Sequence, residues 1–101
     1  MIVRFTPAAL ADIEAVEAWY EQRSPGLATR FGLEVERTVD RIRAQPELYQ
    51  RRIGDARRAA IARFPDYGLW YRVLPDHSLV IACVSGRRHE AIIRQRVVRM
   101  I

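Results

Sequence analysis

The densest run of chemistry-bearing side chains is Ser85-Gly86-Arg87-Arg88-His89-Glu90, directly after the most apolar stretch of the chain, Leu79 to Val84. Guanidinium forks suit carboxylates and phosphates alike, and an imidazole titrates near neutrality and can carry a proton. The cluster therefore reads in three ways: a small active site, a docking surface for another macromolecule, or a solvated strand end of the kind charged residues commonly form. Other candidates are quieter. Asp12, Glu14, Glu17 and Glu21 follow a helical spacing that places them on a solvated outer face, not in a paired-carboxylate site. His77 sits in a Pro-Asp-His-Ser turn with no second ligand nearby, so no metal is expected, and nothing in the sequence asks for a cofactor. Cys83 is the only cysteine and lies within an apolar run; an intramolecular disulfide is excluded, and the thiol is expected to be buried and inert. Trp19, Phe64, Trp70 and Tyr71 could stack on bases, but a chain this short needs aromatic core, and burial is expected for most of them.

A chain of 101 residues fits one domain, here residues 1–101, with a single hydrophobic core and no room for a second catalytic domain. Half of the residues are apolar and 29% are charged, the composition of an ordinary globular protein. No apolar stretch reaches the length of a membrane span and the first residues do not form a signal peptide, so the cytoplasm is the expected compartment. Charge is unevenly spread. Residues 1–50 carry 6 arginines and 8 acids, net −2, whereas residues 51–101 carry 11 arginines and 4 acids, net +7. Such asymmetry points to a face that meets an acidic partner.

The elements that must position these residues can be read from spacing. Ile2-Val3-Arg4-Phe5 alternates like a short strand, and Thr6-Pro7 supplies a capping residue followed by a proline suited to the first helical position. From Ala8 to Arg23, Leu10, Ile13, Val16 and Tyr20 recur at steps of three and four, an amphipathic helix. Ser24-Pro25-Gly26 breaks it. A second helix follows through Leu27, Phe31, Val35, Val39 and Ile42 until Pro46 stops it, and so short a connection makes the pair an antiparallel hairpin. Residues 46–56 read as irregular. Three strands then form a meander: 57–64, with Pro65-Asp66-Tyr67 as a turn, 68–74, with Pro75-Asp76-His77-Ser78 as a turn, and 79–84. Ala91 to Ile101 shows helical spacing at Ile93, Val97 and Met100, although so β-branched a segment also fits an edge strand. The expected class is α+β: a short strand, a helical hairpin packed on an antiparallel sheet, and a terminal helix or strand.

The ordered set of "SPGLATRF" opening the second helix, "QPELY" leaving it, "ARFPDYGLWYRV" in the meander and "SGRRHE" after the last strand resembles the RelE/ParE superfamily of toxins from type II toxin–antitoxin systems. The resemblance spans nearly the whole chain. It implies a compact toxin neutralised by a small antitoxin, acting either as a ribosome-dependent messenger-RNA endonuclease or as a DNA gyrase inhibitor. RNA cleavage through the 2′-hydroxyl needs a proton acceptor, positive charge at the transition state and an acid for the leaving oxygen. Under that reading Arg63, Arg87, Arg88 and His89 are the catalytic candidates. The RNA-cleaving branch, however, often carries a tyrosine or histidine near its C-terminus, whereas this chain ends in Arg-Val-Val-Arg-Met-Ile, has no tyrosine beyond Tyr71 and contains no lysine. Gyrase inhibition needs no proton transfer. By resemblance to the ParE branch, target contact falls to Arg87, Arg88, His89, Arg94 and Arg96, within a toxic portion running from Arg87 to Met100. An antitoxin with an acidic segment is the expected partner, and Trp19, Leu27, Phe31 and Val35 are candidates for lining its groove between hairpin and meander. A non-toxic interaction module that retains the fold is the third reading. Arg57 and Arg58, opening a strand, read as protection of a sheet edge.

Overall fold

A computed structural model describes residues 1–86 and 89–99. The chain runs β1 (Ile2–Phe5), α1 (Pro7–Arg23), α2 (Pro25–Ala44), β2 (Arg51–Ile53), β3 (Ala56–Ile61), β4 (Phe64–Val73), β5 (His77–Ser85) and α3 (Glu90–Arg99). The five strands form one sheet in the order β1-β5-β4-β3-β2. Strands β2 to β5 make an antiparallel meander, and β1 joins its far edge in parallel with β5.

The hairpin forms as its punctuation dictates. Thr6 caps α1 by accepting the Ala9 N–H on its hydroxyl at 3.1 Å, with Pro7 in the first turn. Ser24 closes α1, donating its N–H to the Tyr20 carbonyl at 2.6 Å, and opens α2, where Pro25 again needs no donor partner. One residue thus serves two helix ends, which forces the antiparallel return. The buried stripe of α1 is Ala9, Ile13 and Val16, with Tyr20 packed beside it; Leu10, expected to join it, is exposed. Positions 9, 13, 16 and 20 keep the helical step, and alanine at 9 lets α1 approach the sheet closely.

The sheet is covered on both faces. On one, α1 and α2 enclose Phe31, Val35, Val39 and Ile42 against Ala59, Ile61, Leu69, Tyr71 and Val80. On the other, α3 lays Ile93 and Val97 against Ile53, Ala56, Trp70, Ile81 and Ala82. The terminal element is therefore a helix over its described residues; Met100 lies outside them.

Three details of the meander differ from expectation. The segment after Pro46 is not wholly irregular, because Arg51–Ile53 pairs with β3 as a short edge strand. That strand covers Ala56 and Arg57, so Arg57 does not guard a free edge, while Arg58 and the rest of β3 lie beyond its pairing. The β3–β4 turn falls at Ala62-Arg63, not at Pro65-Asp66-Tyr67. Arg63 takes the left-handed backbone there, with φ 70°. Pro65 and Asp66 belong to β4 at a register shift, where Phe64 faces Ile61 and the next paired residue, Gly68, faces Ala60. A bulge of this kind spares proline the ladder bond it cannot donate.

Candidate functional site

Part of the arginine-rich second half of the chain, Arg51, Arg52 and Arg58, comes together on the α3 side of the sheet. A groove of ≈ 690 Å³ lies there, lined by Arg51, Arg52, Arg58, Asp66, Trp70 and Glu90 among others. Sequence and register explain its composition. Arg51-Arg52 and Arg57-Arg58 flank the short β2–β3 turn, and Arg58 faces Trp70 directly across β3 and β4. The turn is fixed by a two-pronged ion pair from β4, Arg72 Nε and Nη2 to Asp55 Oδ1 and Oδ2 at 2.8 and 2.9 Å.

Arg58 is the most constrained of these cations. Its Nη2 donates to the carbonyls of Pro65 and Asp66 at 3.2 and 3.1 Å, which orients the guanidinium across Gly68. A Cβ at Gly68 would stand 2.6 Å from Arg58 Nε, so only glycine lets the side chain lie there. Burial and the nearby positive charge of Arg52 lower the Arg58 pKa, although a guanidinium stays protonated at any physiological pH. Trp70, 4% exposed, carries a buried indole N–H with no partner among the described residues. Arg57, the other member of its doublet, points to the hairpin side, where it donates to the carbonyls of Glu47 and Tyr49 and holds the loop after α2.

Of the target-contact candidates, Arg87 and Arg88 lie outside the described residues. His89 is partly buried, and Arg94 is exposed. Arg96 is engaged elsewhere: its Nη1 donates to Asp12 Oδ2 at 2.6 Å and to the Ile81 carbonyl at 2.8 Å. Asp12 is thus not a member of a solvated face, as its spacing suggested, but part of the attachment of α3. Arg63, a candidate under the RNA-cleaving reading, leaves the β3–β4 turn toward α2, with Nε 3.6 Å from Oε2 of the buried Glu34. It is not among the groove residues, whereas His89 immediately precedes Glu90, which is.

The antitoxin candidates divide as well. Trp19 and Leu27 are 48% and 43% exposed. Trp19 is braced by an edge-on contact with Tyr20, ring centroids 5.0 Å apart, and by Arg23 stacked 3.9 Å over its ring. Phe31 and Val35 belong to the chain's own core; Phe31 meets Phe64 and Tyr67 edge-on at 5.2 and 5.7 Å. The groove residues Arg52, Arg58 and Trp70 were absent from the candidate set. Their signal was the pair of arginine doublets with four residues between them, which a β-hairpin brings together.

Residues 3–91 match the family model described as the ParE toxin of type II toxin–antitoxin system, parDE. Among curated proteins no relative matches the chain. Among solved structures it is similar to a chain of the chromosomal ParDE toxin–antitoxin system from P. aeruginosa, with a TM-score of 0.75 and 16% identity over 86% of this chain and 97% of that one. At that identity the likeness is one of fold.

Proposed function

Because the chain belongs to the ParE toxin family of type II toxin–antitoxin systems, we propose that it is a toxin that inhibits DNA gyrase by direct contact and is neutralised by a cognate antitoxin. The observation that carries this reading is the division of the surface. The α3 side is basic, with Arg94 projecting from a helix tied firmly to the core through Arg96. The hairpin offers a shelf with two exposed apolar anchors, Trp19 and Leu27. An amphipathic antitoxin helix would lay its apolar stripe on that shelf. An acidic segment of the same antitoxin would be drawn to the basic half of the chain and its association steered by charge.

Target contact by arginines needs positive charge and a rigid platform, not proton transfer. The purified protein should block gyrase supercoiling, and addition of the antitoxin should restore it. Induced cells should show DNA-damage signalling with message lengths preserved. Codon-phased message cleavage, lost in His89→Gln, would replace this reading with the RNA-cleaving one; normal growth with folded protein present would remove the toxin assignment for this chain.

A further inference from the structure

The two edges of the sheet are built differently. The β2 edge is three residues long, carries Arg51 and Arg52, and breaks register beside β3. Short, charged and irregular strands of this kind do not recruit another strand. The β1 edge has none of these protections beyond its brevity. Ile2-Val3-Arg4-Phe5 contains no proline and one charge, and it runs in unbroken register with β5, from Ile2 opposite His77 to Phe5 opposite Val80. No described strand lies on its outer side. A groove of ≈ 370 Å³ lined by Met1, Ile2, Val3 and Arg43 follows that side, and Met1 and Ile2 are 47% and 60% exposed. The direction of the backbone groups follows from Thr6, whose N–H donates to the Val80 carbonyl at 3.0 Å. Residues alternate along a strand, so Arg4 and Ile2 also turn their N–H and C=O toward β5, while Val3 and Phe5 turn theirs outward. The side chains of Val3 and Phe5 pack on the hairpin side of the sheet, which puts Ile2 and Arg4 on the α3 side.

We propose that β1 pairs antiparallel with β1 of a second copy of this chain, joining the two sheets across a twofold axis at Val3. In that register Val3 exchanges two backbone hydrogen bonds with its equivalent. On the hairpin side Met1 meets the other copy's Phe5, and on the α3 side Ile2 lies along the aliphatic stem of the other copy's Arg4. Both exposed apolar residues of the edge are thereby covered. The alternative register, with Val3 opposite Phe5, sets Arg4 against its own equivalent, and like charges directly opposite one another are destabilising. The strand is thus self-complementary in one register, and a twofold contact closes on itself instead of growing into a fibre. Four residues a side cover less than the roughly 1,200 Å² of a standard stable interface, so the dimer should be weak, with a Kd of about 10–100 μM. The proposal does not rest on the toxin assignment, since it uses only the edge.

The test is sedimentation equilibrium of the full chain, without any partner, at concentrations up to about 1 mM. A monomer–dimer equilibrium is expected, with no larger species. Two copies of net charge +5 repel each other, so added salt should strengthen the dimer. The register makes a sign-specific prediction at exposed Ile2. Ile2→Glu, opposite the other copy's Arg4, should tighten the dimer about threefold to tenfold, and Ile2→Arg should loosen it by a similar factor, because each change acts twice across the axis. Val3→Pro removes an outward donor without touching the β5 ladder and should abolish the dimer; if that variant does not fold, the two Ile2 variants decide. Leu33→Arg, on α2, should change nothing. Amide exchange at Val3 and Phe5 should slow as concentration rises, while Arg4, bonded to β5, stays as it is. A chain that remains monomeric at about 1 mM would overturn the proposal. So would a dimer that salt dissolves and Ile2→Arg leaves intact, because another surface would then hold it. If the free chain is monomeric and Ile2→Arg and Val3→Pro instead loosen a complex with the antitoxin, the edge belongs to an antitoxin strand and the proposal falls, with the toxin assignment untouched.

Discussion

Arg96 and Asp12, 84 positions apart in sequence, meet at 2.6 Å, and through this pair the last helix is fastened to the first. The geometry follows from where β1 stops. Its pairing with β5 ends at Phe5 and Val80, so beyond that point β5 has no strand on that edge. Asp12 Oδ2 accepts the Cys83 N–H at 3.0 Å and Arg96 donates to the Ile81 carbonyl. Two side chains thus satisfy backbone groups that a longer β1 would have taken. Ile81 is also the residue at which the β4–β5 register shifts, since Trp70 faces Ala82 while Tyr71 faces Val80.

Removing either partner should therefore cost more than an ordinary surface ion pair. The two side chains are 23% and 18% exposed, and each leaves behind a half-buried charge. Arg96→Met or Asp12→Asn should lower unfolding free energy by about 2–4 kcal/mol, between the value of a charge-assisted hydrogen bond and that of a broken buried pair. Urea denaturation measures it, and a double-mutant cycle should return a coupling well above the ~0.5 kcal/mol of exposed pairs. Amide exchange should rise along α3 before the sheet opens.

The hairpin shelf and the core beneath it make opposite predictions. Trp19→Ala removes an exposed anchor and should weaken antitoxin binding by about 2 kcal/mol or more, the scale of an interface hot spot, with stability nearly unchanged. Leu27→Asp should act in the same direction. Phe31→Ala instead removes a fully buried ring and should cost ~3–5 kcal/mol of stability. Calorimetry with the antitoxin, beside thermal melting of the free toxin, separates the two effects.

His89 discriminates between the two toxin chemistries. If arginine contacts on the α3 side inhibit the target, His89→Gln should retain most toxicity, and Arg94→Ala, with Arg87→Ala and Arg88→Ala, should weaken supercoiling inhibition. If a proton transfer is required, His89→Gln should slow the reaction by about 10²–10⁴-fold. Supercoiling and message-length assays on the same set of variants rank them in opposite orders under the two chemistries.

Much of this architecture could be read from the sequence, and the parts that could not share a physical reason. Thr6-Pro7, Ser24-Pro25 and Pro46 mark the hairpin because capping and proline act locally. The α3 segment was ambiguous between helix and strand because Ile93 and Val97 fit either period until the sheet face beneath them is known. The "FPDY" stretch misleads because proline and aspartate favour turns, while here a bulge absorbs Pro65 and the turn moves to Arg63. Asp12 reads as a solvated acid, since no local pattern reveals its pairing with Arg96 across 84 residues. The arginine groove required knowing that β2 exists. Three residues are too few to announce a strand, yet they bring one arginine doublet beside the other.

Alkaline pH should expose the polar tether at the hairpin side of the sheet. Tyr71 is fully buried and its hydroxyl donates to the Pro46 carbonyl at 2.6 Å, holding the start of the loop after α2. Burial pushes its pKa up from 10.0 to about 12, and burial likewise pushes the Cys83 thiol up from 9.0 to about 12. Both groups are thus neutral in the folded chain at pH values where the unfolded chain would ionise. A folded pKa raised above the unfolded one contributes stability that is complete below the unfolded value and is lost as pH climbs through the folded value. From these two groups, stability should be flat from pH 7 to about 9, decline once the thiol and then the phenol ionise in the unfolded state, and level off above about 12. Urea midpoints across that range measure the decline, and Tyr71→Phe should remove the part of it that begins near pH 10. Thiol reagents at pH 8 should label Cys83 only as fast as the chain opens, because the buried group offers almost no thiolate; labelling at the rate of a free thiol in folded protein would contradict its burial beneath the hairpin.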